Sequence, residues 1–141
     1  MKAANIDLIR ELPARPVYAL VDAEAIEQVL INLLSNAVKY MGDAERQPRN
    51  VRVSLTATRH QAVILIADTG IGISKEARVH IFERFWRADD ERVRAIAGSG
   101  LGLTLVKHIV DAYDGAIDVE SEPGLGTSFV VRLPASVEGQ Q

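Results

Sequence analysis

Cysteine is absent from the 141 residues. That excludes a disulfide scaffold, a thiolate nucleophile and any Cys-ligated zinc or iron–sulfur site, and it suits the cytoplasmic location expected here. Long apolar runs are missing too. Runs such as Ala62 to Ala67 and Val29 to Ile31 fall far short of the roughly 18 residues of a membrane helix, so no membrane contact by this segment is expected. No apolar signal core precedes Asp7 in MKAANIDLIRELP, which predicts no secretory leader. Nor is there a basic surplus: 16 Lys+Arg against 19 Asp+Glu leave a formal charge of −3, the opposite of a nucleic-acid binder's footprint. Internal repeats and low-complexity tracts are also lacking. What is present, 48% hydrophobic and 25% charged, is ordinary for a soluble domain. Its length suits one core that buries about two-thirds of the unfolded surface.

Pro13 and Pro16 break the start of the chain into two short extended segments, 5–12 and 17–21. Asp22 is a good N-cap for AEAIEQVLINLLSNAVKYM, whose apolar residues fill one broad arc up to Gly42 and predict a largely buried helix. Residues 42–50 read as a polar surface loop. Val51, Val53, Leu55 and Ala57 alternate with polar neighbours, as in a strand wet on one face, and the run AVILIA, ending at Asp68, reads as a central strand buried on both faces. A short helix over 75–86 and a charged loop over 87–99 follow. A second long helix begins at Leu101 and stops at Gly115, and AIDVES and TSFVVRL form two strands around a Pro123-Gly124 and Gly126 turn. This order predicts an α+β fold: a two-layer α/β sandwich, with a mixed, mostly antiparallel sheet and about three helices on one face.

Three constellations carry chemistry. Asp68-Thr69-Gly70-Ile71-Gly72-Ile73 puts a carboxylate and two glycines at the exit of a buried strand, which is either a capped tight turn or the wall of a pocket. Gly98-Ser99-Gly100-Leu101-Gly102 opens the second long helix, where free N–H groups and the helix dipole favour an anion. The third glycine comes one residue early for a dinucleotide fingerprint, and no Walker-type P-loop exists. On the first helix, Gln28, Asn32, Asn36 and Lys39 lie within about 80° of one another. Asn has no propensity reason to recur inside a helix. The alternative to a solvated stripe is therefore a ligand face, with amide oxygens for a hard cation and Lys39 for a phosphate.

In order, NLLSNAVKY, DTGIGI, FERFWR and GSGLGL resemble the N, G1, F and G2 boxes of the histidine-kinase ATP-binding domain. This domain is a branch of the gyrase, Hsp90, histidine kinase and MutL superfamily with the Bergerat fold. The resemblance runs from about Asn5 to Leu133 and implies ATP and Mg2+ as cofactors. It implies Asn36 as the Mg2+ ligand, Lys39 on the phosphates and Tyr40 near ribose and adenine. Asp68 would accept from the adenine amino group, Gly70, Gly72 and Ile73 would shape the adenine pocket, and Thr127 would support the same contact through water. Phe82 and Phe85 match the F box, core packing being the plainer reading for at least one of them. Arg87 matches a lid-edge arginine, with Arg84 a weaker candidate. Residues 87–99 would form the ATP lid, with Gly98, Gly100, Leu101 and Gly102 at its hinge and phosphate cradle. Thr69 stands where many relatives have Asn, a mild departure.

Position 32 separates reaction types. The hydrolytic branches carry a water-activating glutamate four residues before the magnesium Asn, whereas Asn32 has no basic lone pair at neutral pH. That favours phosphoryl transfer over hydrolysis. None of His60, His80 and His108 lies in the family's phosphoacceptor context. The chain therefore reads as an ATP-binding catalytic domain (1–134) with a flexible tail (135–141), taken from a two-component kinase whose parent can be membrane-anchored. Its expected partners are ATP and ADP, the dimerisation and phosphoacceptor helical hairpin, and a response regulator through the parent. A hydrolytic member of the superfamily and an anti-sigma-type serine kinase are the alternatives; the intact FERFWR favours a histidine target over the latter.

Overall fold

The computed structural model describes residues 6–43, 48–83 and 102–135. Asp22 caps the first helix as its sequence predicts, with backbone angles of −68° and 140° and a carboxylate that accepts from the Glu24 N–H at 3.2 Å. Helix α1 runs Ala23–Lys39, and Val29, Leu33 and Ala37 are buried along one stripe at four-residue spacing. Beyond it Met41 turns into the core at 1% exposure, and Gly42 takes a positive φ of 90°. Asp22→Ala is expected to lower stability by about 1 kcal/mol, read as a shifted urea midpoint at constant slope. An unmoved midpoint would mean that the cap contributes nothing.

Among the described residues five strands make one sheet: β1 (Asp7–Glu11), β2 (Asn50–Ala57), β3 (Gln61–Asp68), β4 (Ala116–Glu122) and β5 (Gly126–Pro134), in the order β1-β2-β3-β5-β4. Among the described residues only β1 and β2 pair in parallel. Cross-strand partners share a face. Ile66 therefore lies between Val53 and Phe129, Ile64 between Leu55 and Val131, and Ala62 between Ala57 and Leu133. Helix α1 and helix α3 (Gly102–Ala112, with Val106 and Val110 buried) close over this face and against each other. Fully burying a side chain such as Leu33 or Ile66 is worth about 1.5–3 kcal/mol. That outweighs the exposed Arg132–Asp118 and Arg52–Glu11 pairs on the outer side, at roughly 0–1 kcal/mol each.

The two-layer expectation holds, with local corrections. On β3, Ala62, Ile64 and Ile66 are buried while Val63, Leu65 and Ala67 are half-buried, because the helices cover one face only. Residues 17–21 form no strand. They make one bridge, Ala19 to Ala135, and the Leu20 N–H donates to the Pro134 carbonyl at 3.1 Å. Pro16 and Pro134 have no N–H with which to extend a ladder. That bridge places Ala135 in the fold, whereas the rest of the expected tail, 136–141, lies outside the described residues. The helix expected over 75–86 is the single turn α2 (Lys75–Arg78), capped by Ser74, after which separate turns bring Ile81 and Phe82 onto the core. At the end of α3 the left-handed residue is Asp114 (φ 61°). Gly115 is required instead because a Cβ there would collide with the Arg132 carbonyl oxygen.

The loop 42–50 is not wholly a surface feature either. Arg49 is 8% exposed and donates from its guanidinium to the Gly42 and Asp43 carbonyls, holding the chain beyond α1.

Candidate functional site

The alternation that builds the core also builds the site. One step beyond Ile66 and Phe129, the same sheet face carries Asp68 opposite Thr127, and Thr127 opposite Ser121. The inner face is apolar for three rows and polar in the last. Asp68 Oδ1 accepts from the N–H of Gly70 at 2.8 Å and of Thr127 at 3.3 Å, which orients the carboxylate. Thr69 serves the loop's anchorage. Its Oγ1 donates to the Pro48 carbonyl at 2.7 Å and accepts from the Asn50 N–H at 2.9 Å.

The glycines are there for close approach. A Cβ on Gly70 would overlap the Tyr40 carbonyl oxygen and lie 2.9 Å from Asp68 Oδ1; one on Gly72 (φ +78°) would overlap the Glu122 backbone. Ile71 donates to that Tyr40 carbonyl at 2.9 Å and accepts from the Gly124 N–H at 2.8 Å. The end of α1, the aspartate loop and the β4–β5 hairpin are thus clamped together around Asp68. The hairpin turn has Pro123 followed by Gly124 at φ +85°, as the sequence implies.

From this clamp the polar stripe of α1 runs away toward α3. Lys39 is exposed, and Tyr40, Asn36 and Asn32 are half-buried. From Tyr40 back to Asn32 the helix rises about 12 Å, at 1.5 Å per residue. Asn32 donates its amide to the Gln28 carbonyl at 2.8 Å, which turns Oδ1 to 2.8 Å from where a Gly102 Cβ would stand. One end of the stripe therefore meets the Asp68 loop and the other meets the first residue of α3. This arrangement can hold an elongated ligand with a donor-bearing group at Asp68 and an anion near Asn32 and Gly102.

An open cleft of about 480 Å3 lies against the hairpin, lined by Asp68, Arg78, Ser121, Thr127 and neighbours. Asn32, Asn36 and Lys39 are not among its walls. Phe82 belongs to the core, edge-on to Phe129 with ring centroids 6.4 Å apart, and its carbonyl accepts from Thr104 Oγ1 at 2.9 Å. His60 sits in the β2–β3 turn, His80 pairs with Glu83 at 2.8 Å, and His108 is exposed on α3. Arg84, Phe85, Arg87, Gly98, Gly100, Leu101 and the proposed lid 87–99 lie outside the described residues. Ser121 and Arg49 are the residues that sequence reasoning missed. Ser121 had a signal, as a polar residue in phase with inward Ile117 and Val119; Arg49 had none, being one charge among several in its loop.

A mixed five-stranded sheet under α1 and α3, with an aspartate–glycine loop clamped to the end of the first helix, is the Bergerat architecture. The chain belongs to the histidine kinase-, DNA gyrase B- and HSP90-like ATPase family, whose model matches residues 21–137. It is 42% identical over 137 residues to the sensor-like histidine kinase SenX3 of Mycobacterium tuberculosis, covering 96% of this chain and 32% of that protein. It is 37% identical to the sensor histidine kinase WalK of Bacillus subtilis, over 97% of this chain and 22% of WalK. The chain thus spans a third or less of these relatives. Among solved structures, the mycobacterial sensor histidine kinase MprB superposes with a TM-score of 0.76 at 29% identity, covering 94% of this chain and 84% of that one. Full-length ShkA in complex with AMPPNP gives 0.78 at 29% identity, over 96% of this chain and 27% of that one. Among the described residues no helix is long and apolar enough to cross a membrane.

Proposed function

We propose that the chain is the ATP-binding catalytic domain of a two-component sensor histidine kinase, giving the γ-phosphoryl group of Mg-ATP to a histidine on a separate dimerisation and phosphoacceptor hairpin. The observation that carries this reading is the polar row at the sheet's end, joined through the Tyr40–Gly70 contact to a helix stripe of Asn32, Asn36 and Lys39. Asp68, oriented by two backbone donors, accepts from the 6-amino group of adenine. Guanine presents an oxygen there and leaves the carboxylate unpaired. Tyr40 lies along ribose and adenine, Gly70, Gly72 and Ile73 form the pocket wall, and Lys39 and the start of α3 face the phosphates. Arg87, Phe85, Gly98, Gly100 and Leu101 enter on their sequence match alone.

The donor set suits magnesium. Among the described residues no group of three or more His, Cys, Asp or Glu could hold a metal by itself, and Asn36 offers a neutral hard oxygen. A cation that keeps its waters and takes most other ligands from phosphates fits such a site. Bound there, Mg2+ neutralises phosphate charge. Asn36→Asp is therefore expected to change Mg-ATP affinity more than metal-free ADP affinity, compared by calorimetry; equal changes would remove Asn36 from the metal's shell. Asn32 supports transfer over hydrolysis, since its amide is neutral and has no basic lone pair with which to take a proton from water.

Within the longer kinase the phosphorylated hairpin would hand the group on to a response regulator. The test is to mix the chain with ATP, Mg2+ and a hairpin carrying the phosphoacceptor histidine. Acid-labile label on the hairpin is expected. Steady hydrolysis without transfer, or label only on a supplied serine substrate, would overturn the proposal.

A further inference from the structure

Ser121 Oγ sits 2.7 Å from the Ile73 nitrogen, 2.9 Å from the Gly126 carbonyl oxygen and 2.8 Å from Thr127 Oγ1. A serine hydroxyl has one proton and two lone pairs. The Ile73 N–H can only donate, so it occupies one lone pair. The Gly126 carbonyl can only accept, so it takes the proton. The Thr127 hydroxyl is left to donate to the second lone pair, and only this assignment makes all three bonds. The Thr127 proton then points at Ser121, and toward the site Thr127 Oγ1 has nothing but lone pairs.

We infer that Ser121 is a positioning residue that fixes the Thr127 hydroxyl as an acceptor beside the Asp68 carboxylate, so that the pair discriminates against 6-oxo purines. The inference rests on the adenine reading of Asp68 proposed above. Asp68 and Thr127 are cross-strand partners on the inner face, and with both oxygens accepting, whatever meets them must bring N–H or O–H groups. The 6-amino group of adenine supplies that donor and the 6-oxo group of guanine does not. A Thr127 hydroxyl released from Ser121 can rotate and donate to the oxo group instead.

The test is the ratio of GTP to ATP dissociation constants of the full chain, measured by calorimetry. Ser121→Ala also frees Ile73 and Gly126, so it is expected to weaken both nucleotides. Its signature is the ratio, expected to fall about fivefold, the size of one neutral hydrogen bond, while Ser121→Thr, which keeps the hydroxyl, restores it. Thr127→Val, close to isosteric, should lower the ratio similarly, and the double variant no further. Thr127→Val provides the test even where Ser121→Ala fails to fold. A selective wild type whose ratio survives Thr127→Val, or falls additively in the double variant, overturns the inference and leaves the adenine reading standing. A wild-type ratio near one overturns both.

Discussion

Asp68→Asn is expected to weaken ATP binding by about 10- to 100-fold, the equivalent of one hydrogen bond to a charged group. The variant is isosteric, and its remaining carbonyl oxygen can still accept from the Gly70 and Thr127 N–H groups that orient the side chain. The loop is therefore kept while the charge is lost. An amide also offers N–H donors where the adenine amino group brings its own, and those donors suit the oxo group of guanine. The preference for ATP over GTP should narrow together with the affinity, and calorimetry reads both. Unchanged ATP affinity in a folded variant would remove Asp68 from the adenine contact.

Gly70→Ala should be strongly damaging despite its size. Its Cβ would overlap the Tyr40 carbonyl oxygen and crowd Asp68 Oδ1 at 2.9 Å, so the loop and the end of α1 must separate. Overpacking costs about 1–3 kcal/mol, and losing the Ile71–Tyr40 hydrogen bond adds about 1 kcal/mol. A loss of about 2–4 kcal/mol is expected, with ATP binding impaired in whatever remains folded, because the separation moves Asp68 relative to Lys39 and Asn36. Gly124→Ala is the control. It meets nothing within 4 Å but sits at φ +85°, so it should cost only the left-handed penalty of about 1–2 kcal/mol. Denaturation midpoints compare the two, and a Gly70→Ala variant as stable as Gly124→Ala would show that the clamp does not exist.

The parts of the molecule legible in the sequence are those set by local period and by glycine. The α1 stripe follows from a 3.6-residue count, the inward phase of Val51, Val53 and Leu55 on β2 from a count of two, and the Asp68 loop from its two glycines. What escaped the sequence depends on partners far along the chain. Val63 and Leu65 look as apolar as Ile64 and Ile66, yet only the latter face the helices. Residues 17–21 have strand composition but meet a neighbour with no N–H to offer. Asp114 takes the left-handed turn at the end of α3, and Gly115 is needed because the Arg132 carbonyl occupies the space of a Cβ there. Ser121 shows an inward phase in the sequence, but its bond to the Ile73 N–H, 48 residues away, exists only in the fold.

The central claim is that this chain holds Mg-ATP with adenine at Asp68 and the phosphates along the α1 stripe. Titrating the chain with ATP and with GTP, each with and without Mg2+, tests it most directly. ATP should bind at least about tenfold tighter than GTP, one charge-assisted hydrogen bond's worth, and Mg2+ should change the ATP affinity. Equal binding of the two nucleotides, or ATP affinity indifferent to the metal, would contradict the account.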